Sequence, residues 1–317
     1  MKVLVTGGRG LLGSATVAEL DRRGHEVTTF QRSPSANPRE VLGDVTDAAA
    51  LQRAVAGKDA VVHLAARVSI TGAWNDFLAV NVGGTRNVVN ACRSEGVTRL
   101  VHVSSPSVAH AGEPLVGVGA TPADPDHVRG HYARSKAMAE ILALDANSPD
   151  LAITAIRPHL VWGPGDTQLV ERIIDRARSG RLFLIGGGQS LIDTTYVDNA
   201  ADALACAVEH CPGGKAFVVT NGEPRTVAEL VARIAQSGGA SIRGRVPYPI
   251  AYAAGKVVER VWGNRPSDPP VTTFLAEQLS TAHWFDQKVT QTALQWIPRI
   301  SLDEGFRRLD SFYQRGK

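Results

Sequence analysis

Tyr132-Ala-Arg-Ser-Lys136 sets a phenol and an ammonium four residues apart. On a helix those positions share a face, so both groups can enter one cleft. A phenol gives or takes a proton at a substrate oxygen. A neighbouring ammonium favours the phenolate and eases that exchange near neutral pH. Upstream, Val101-His102-Val103-Ser104-Ser105 ends an apolar run with two hydroxyls able to hydrogen-bond the same oxygen. Taken alone the Tyr/Lys spacing is common, and an exposed tyrosine with a solvated lysine is its ordinary meaning. The surrounding elements decide between the two.

A second chemical signal lies at the N-terminus, in Val3-Leu4-Val5-Thr6-Gly7-Gly8-Arg9-Gly10-Leu11-Leu12-Gly13. The apolar run reads as a buried strand, and Ser14 to Arg23 as a helix. Gly7, Gly10 and Gly13 allow a sharp turn and let a pyrophosphate approach the free N–H groups of the helix N-terminus. Glycine turns are frequent, and the spacing is GxxGxxG rather than GxGxxG. This one follows a strand and opens a helix, which points to a dinucleotide.

The elements that must position these groups alternate. Strands are predicted at Lys2–Thr6, Glu26–Phe30, Ala60–Leu64, Arg99–Ser104 and Ala152–Pro158. Helices are predicted at Leu12–Arg23, Asp47–Val55, Phe77–Glu95 and Tyr132–Asn147. The alternation predicts an α/β fold, a Rossmann doubly wound parallel sheet with helices on both faces. Ligands of such sheets bind at the carboxyl ends of the strands, where Ser104 and Ser105 fall. After Pro158 the pattern changes. A basic amphipathic helix is predicted at Thr167–Ser179, short strands at Phe183–Ile185 and Ile192–Val197, a helix at Asp198–His210 and a strand at Lys215–Thr220. The tail mixes helices with joints at Pro247, Pro249, Pro266 and Pro269-Pro270. The expected organisation is a dinucleotide-binding domain over 1–165, completed by about 191–220, and a smaller, irregular C-terminal substrate lobe from 166–190 and 221–317.

Composition narrows the function. With 317 residues, 44% of them apolar, the chain can bury a large core. A net charge of +3 with interspersed signs gives no nucleic-acid footprint. Cys92, Cys206 and Cys211 lack metal-ligand spacing, so no metal site is expected. Their odd number suits a reducing cytosol, and a cytoplasmic location without a targeting segment is expected. No apolar run reaches the roughly 18 residues that span a bilayer.

With these motifs in place the chain resembles the extended short-chain dehydrogenase/reductase family. The matching segments are Thr6-Gly7-Gly8-Arg9-Gly10-Leu11-Leu12-Gly13, Gly43-Asp44-Val45-Thr46-Asp47, His63-Leu64-Ala65-Ala66, Asn81-Val82-Gly83-Gly84-Thr85-Arg86-Asn87, Ser104-Ser105, Tyr132-x-x-x-Lys136 and Arg157-Pro158 leading to Gly163-Pro164-Gly165. The resemblance implies a catalytic serine, tyrosine and lysine. Laid on the family's Ser-x-x-Val segment, Ser105-Pro106-Ser107-Val108 gives Ser105 the serine role, with Ser104 as the other register. Ser105 would polarise the substrate oxygen, Tyr132 would pass the proton, and Lys136 would bond the nicotinamide ribose and tune Tyr132. The resemblance also implies Asp44 at the adenine and Ala65 and Ala66 beside the ribose. Gly7, Gly10, Leu11, Leu12, Gly13, Val45, Leu64, Asn81 and Pro158 join them around the cofactor, and Asn81 props the site.

The choice of nicotinamide is read from strand two. An NAD site places an acid at its end, to bond the ribose 2′-hydroxyl. Here Gln31 stands in that place and Arg32 follows. A guanidinium pairs with a 2′-phosphate, so NADP(H) is expected.

Finer motifs resemble the 3β-hydroxysteroid dehydrogenase branch, among them Ala66 to Trp74 and Leu294 to Gly305. Within that branch, Ser105 to His110, Trp162 to Leu169, Asn221 to Pro224 and Phe274 to Leu279 look most like the 2-alkyl-3-oxoalkanoate reductases of bacterial long-chain olefin synthesis. The implied substrate is a long-chain 3-oxo acid, and the implied partners are a pathway condensing enzyme and further copies in a homo-oligomer. Residues 249–262 are amphipathic and basic, suited to wall an alkyl tunnel, to touch a membrane peripherally, or to pack on the domain. Arg129, Arg134 and Arg157 are candidate carboxylate partners, and His110, His131 and His159 lie near the predicted mouth. The alternatives are a hydroxysteroid or sterol dehydrogenase, a nucleotide-sugar-type epimerase or dehydratase, and a non-catalytic NADP-sensing protein. Sensors of this kind usually lose the Tyr/Lys pair, which is present here.

Overall fold

Val3 and Val5 point to one face of their strand and Leu4 to the other, and all three are fully buried. A strand buried on both faces belongs inside a sheet covered on both sides. The computed structural model describes residues 1–317 apart from Ala36, Ile70, Ala111, 263–272, 274–278 and 316–317. Pro266, Pro269, Pro270 and residues 274–278 of the Phe274–Leu279 motif therefore lie outside the described residues.

The strands in chain order are β1 (Lys2–Thr6), β2 (Glu26–Gln31), β3 (Glu40–Leu42), β4 (Ala60–His63), β5 (Arg99–Val103), β6 (Leu115–Val118), β7 (Ala152–Pro158), β8 (Val161–Trp162), β9 (Phe183–Ile185), β10 (Leu191–Ile192), β11 (Thr195–Tyr196), β12 (Lys215–Val219), β13 (Arg225–Thr226), β14 (Gly244–Val246) and β15 (His283–Phe285). The helices are α1 (Leu11–Arg22), α2 (Ala48–Val55), α3 (Trp74–Phe77), α4 (Gly84–Ser94), α5 (Gly130–Asp145), α6 (Val170–Arg178), α7 (Val197–His210), α8 (Val227–Ser237), α9 (Tyr248–Trp262), α10 (Lys288–Leu294) and α11 (Leu302–Arg315).

Seven strands form one parallel sheet in the order β12-β7-β5-β4-β1-β2-β3. The order reverses between β1 and β4, and a crevice opens at the carboxyl ends there. On one face Val3, Val5, Val62 and Val101 pack against Ala203–Val208 of α7. On the other, Leu4, Val61 and Leu100 pack against Leu51, Val55, Val88 and Val89. This is the doubly wound arrangement that the strand–helix alternation predicts.

Three local differences have physical causes. The predicted Phe77–Glu95 helix starts at Trp74 and contains a π-turn at Leu78–Gly83, which carries Asn81 into the interior. The predicted Ile192–Val197 strand is two strands in separate sheets. Between them Asp193 accepts hydrogen bonds from Thr220 Oγ1 (3.0 Å) and Phe285 N (3.3 Å), and Thr195 Oγ1 donates to the His159 and Val219 carbonyls. Those bonds carry the chain from the β10–β15 pair to the β8–β11 pair. Third, β6 pairs with β15, joining the first half of the chain to the tail. The thiols of Cys92, Cys206 and Cys211 are all free.

Candidate active site

Tyr132, Lys136 and Glu140 recur every fourth residue and so share one face of α5. Glu140 anchors that face. It is buried against Arg157 of β7, whose Nε and a terminal nitrogen donate to it at 2.8 and 2.5 Å. The remaining Arg157 nitrogen donates to the Thr121 carbonyl. Arg157 is therefore engaged within the protein and does not serve as a substrate partner. A second tie comes from Asn81, which donates to Ser135 Oγ (2.9 Å) and accepts from Arg67 N (2.7 Å), while Ser135 donates to the Tyr132 carbonyl. Asn81 props the tyrosine's own turn through these bonds.

The Tyr132 phenol hydrogen-bonds Ser105. Burial raises its pKa above the ordinary value, with the Ser105 bond acting in the opposite direction. Lys136 is buried and donates to the Val103 carbonyl at 2.7 Å, and burial pushes its ammonium down to about 8. The ammonium thus reaches the end of β5 rather than the phenol. Burial dominates the phenol's acidity and holds it protonated, reversing the expected shift toward phenolate. Ser105 caps a short 3-10 turn at Pro106–Ala109 and accepts from the Ser107 hydroxyl at 2.9 Å. Its neighbour Ser104 is buried, with no partner for its Oγ, and is not among the residues that line the cavity with Ser105 and Tyr132.

The glycine turn follows β1, at the carboxyl edge of the same sheet. Gly7 has φ +75°, and a Cβ there would stand 2.9 Å from Ala65 N. At Gly13 a Cβ would collide with the Gly7 carbonyl. Gly10 differs, because an added Cβ would meet only the Gly7 carbonyl at 3.6 Å. The space before it is not used by the protein. Gly10 caps α1 without a side-chain bond, and no acid occupies the first turn. The N–H groups of Leu11, Leu12 and Gly13 begin that helix end, which therefore fits a pyrophosphate. Leu64, Ala65 and Ala66 follow β4 at the carboxyl edge of the sheet. Asp44 accepts from Thr46 N and Oγ1, bonds that hold it below the usual carboxylate range, with Arg32 contributing. Val45 packs beneath Gly84, and Pro158 ends β7. Gln31 turns inward, buried, and donates to Glu40 at 3.0 Å, whereas Arg32 is exposed. Arg9, which the motif reading passed over, is also exposed and follows Gly8, which packs against Thr29 and Gln31 of β2.

A cavity of about 610 Å³ opens from Ser105 and Tyr132 into the second half of the chain. Leu169 and Ile173 near and on α6, Leu184 of β9, Val231 of α8 and Ile250 and Ala251 of α9 line it. The 249–262 stretch does wall a cavity, with Ile250 and Val257 also exposed. His110, His159 and His283 line the same cavity. Burial holds the His159 imidazole well below its usual pKa, reinforced by His283 and His110. His283 carried no sequence signal, being a lone histidine in the tail. The pairing of β15 with β6 and β10 brings it here. His131 is not part of that lining and packs at a tilt against Trp74, and Arg134 is exposed over the same ring. Arg129 is exposed beside Gly112.

Residues 3–220 match the NAD dependent epimerase/dehydratase family. The chain belongs to that family. A 2-alkyl-3-oxoalkanoate reductase of Stenotrophomonas maltophilia (strain K279a) is 43% identical over 325 residues, 98% of each chain. A sterol-4-alpha-carboxylate 3-dehydrogenase, decarboxylating, of Mus musculus is 32% identical over 342 residues, 100% of this chain and 92% of that one. The solved structure of MoeE5 in complex with UDP-glucuronic acid and NAD matches with a TM-score of 0.74 and 27% identity over 100% of both chains. These relatives belong with this chain among the extended short-chain dehydrogenases/reductases, oxidoreductases that use a nicotinamide cofactor. Among the described residues of this family member, no helix is long and apolar enough to cross a membrane, and no cluster of metal-ligating side chains occurs.

Proposed function

We propose that this chain is an NADP(H)-dependent reductase that converts a 2-alkyl-3-oxoalkanoate to the 2-alkyl-3-hydroxyalkanoate. The observation that carries this reading is the hydrogen-bonded Ser105–Tyr132 pair on the wall of a large, mainly aliphatic cavity. The bound cofactor supplies hydride to the carbonyl carbon. Ser105 holds the carbonyl oxygen, and Tyr132 donates its phenolic proton to that oxygen as charge develops there. A phenol kept protonated by burial suits this direction. Lys136 would hold the nicotinamide ribose, and Arg32, with Arg9, the 2′-phosphate.

The reading divides the labour. Residues 1–165 with about 191–220 hold the cofactor, and 166–190 with 221–317 hold the alkyl chains. It places a homo-oligomeric enzyme in the cytoplasm, receiving a poorly soluble substrate from the condensing enzyme that makes it. Residues 249–262 would be the face offered to a membrane. A sterol dehydrogenase is the second reading, favoured by the 32% identical sterol relative. A nucleotide sugar is polar along its length and suits this mainly apolar lining less well than an alkyl chain does. The test is turnover of NADPH and NADH with 2-alkyl-3-oxo acids, and of NADP⁺ and NAD⁺ with 3-hydroxysteroids. NADPH consumption with the oxo acids is expected. Oxidation of steroids alone would replace this reading with the second.

A further inference from the structure

Three imidazoles meet on the wall of the cavity that the reacting pair lines. His110 follows the 3-10 turn that Ser105 caps, and His159 follows Pro158 at the end of β7, the strand beside β5. His283 opens β15. Its ring lies 5.0 Å from that of His159 and 5.9 Å from that of His110, edge to face in both cases. All three are more than nine-tenths buried, and all three line the cavity of Ser105 and Tyr132. His159 bonds the Asp193 backbone, and its Nδ1 has no partner in the protein. Buried polar atoms are normally satisfied, so an unmatched one in a side chain that lines a cavity marks a place for a polar group of the ligand once the ring turns toward it.

Resting on the reductase reading, we infer that this histidine cluster is the carboxylate subsite and binds C1 of the 3-oxo acid. In such a substrate the carboxylate is one carbon removed from the ketone carbon. It must therefore lie beside Ser105 and Tyr132 while the alkyl chains run on between α6, α8 and α9. Arg157 is held by Glu140, Lys136 by the Val103 carbonyl and Arg134 over Trp74, whereas Arg172, Arg176 and Arg181 line the cavity from α6 and the segment after it rather than from the strand ends that carry Ser105 and His159. Burial keeps His159 neutral before substrate arrives. An entering carboxylate offsets that penalty, so an imidazole N–H can donate to it or take up a proton beside it.

The subsite also protects the substrate. A 3-oxo acid decarboxylates when its acid proton bonds its own ketone oxygen. The C1–C2 bond breaks, carbon dioxide leaves, and the proton passes to the ketone oxygen to give an enol. A carboxylate held by an imidazole N–H cannot present that proton.

The test compares a 2-alkyl-3-oxo acid with its methyl ester, using the full-length protein and NADPH. The ester keeps every alkyl carbon and removes the charge. The wild type is expected to favour the acid in kcat/KM by about tenfold or more, mainly through KM, the scale of a hydrogen bond to a charged group. In His159→Asn and in His283→Gln that ratio should fall toward one, and a larger share of the acid should appear as decarboxylated ketone. Equal reduction of acid and ester by the wild type overturns the subsite and leaves ketone reduction standing. Acid and ester falling together in both variants, at an unchanged ratio, also overturns it. Reduction of neither compound overturns the reductase reading and the subsite with it. The wild-type comparison needs no substitution, so a variant that fails to fold does not shelter the proposal.

Discussion

Around Gly7, Gly10 and Gly13 the wall of the cleft is main chain, and around Leu169, Leu184 and Val231 it is side chain. The first wall rejects an added Cβ at Gly7 and Gly13, where Ala65 N and the Gly7 carbonyl stand too close. Only glycine meets that demand, so the motif is written into the sequence. The second wall demands volume and apolar surface, which leucine, isoleucine and valine supply almost interchangeably. Tyr132 stands between the two. The comparison teaches that chemistry and cofactor binding are held by local, exacting features, while substrate choice rests on a lining that a few substitutions can redirect.

The sharpest way to break this comparison is at its hinge. Tyr132→Phe keeps the ring and its packing and removes the proton donor. Turnover should fall by about 10²–10⁴-fold while NADPH still binds, as measured by cofactor titration and stopped-flow kinetics. Ser105→Ala should fall comparably and Ser104→Ala much less, because Ser105 lines the cavity and Ser104 does not. Near-normal turnover in Tyr132→Phe would remove the catalytic assignment.

At the cofactor end, Arg32→Ala should weaken NADPH binding by about 1.5–3 kcal/mol and leave NADH nearly unchanged. Calorimetric titration of both cofactors checks this, and equal wild-type affinities would argue against a 2′-phosphate site. At the substrate end, Ala251→Phe puts a ring into the cavity from α9. It should lower kcat/KM for long-chain oxo acids by about tenfold and spare short-chain ones. Equal losses on both would mean that α9 does not bound the alkyl chains.

The smallest effect concerns the junction that carries the chain from β10 to β11. Burial raises the Asp193 carboxyl to about 6. Between its unfolded value and that value the folded state binds the proton more tightly, so stability falls as pH rises through this window. Above it the folded protein holds a penalised carboxylate. Asp193→Asn should therefore stabilise the protein more at pH ~7 than at pH ~4, by on the order of 1–3 kcal/mol. Denaturant unfolding at the two pH values gives the comparison, and a larger gain at the acid end would contradict the assigned cause.

The sequence by itself determined what nearest neighbours along the chain decide. Short continuous apolar runs made the buried strands, and the four-residue interval put Tyr132, Lys136 and Glu140 on one helical face. Glycine at 7 and 13 made the turn, because backbone geometry there excludes every other residue. Tertiary structure decided what depends on segments far apart in the chain. It set Ser105 rather than Ser104 on the cavity wall beside Tyr132. It buried Gln31 against Glu40 and Arg157 against Glu140, removing both from the ligand's reach. A π-turn set Asn81 beneath α5, and pairing of β15 with β6 brought His283 to His110 and His159. The reason is physical: periodicity and backbone conformation are properties of a short window, whereas burial, and with it the acidity of Tyr132, Lys136 and His159, is set by everything that packs around a group.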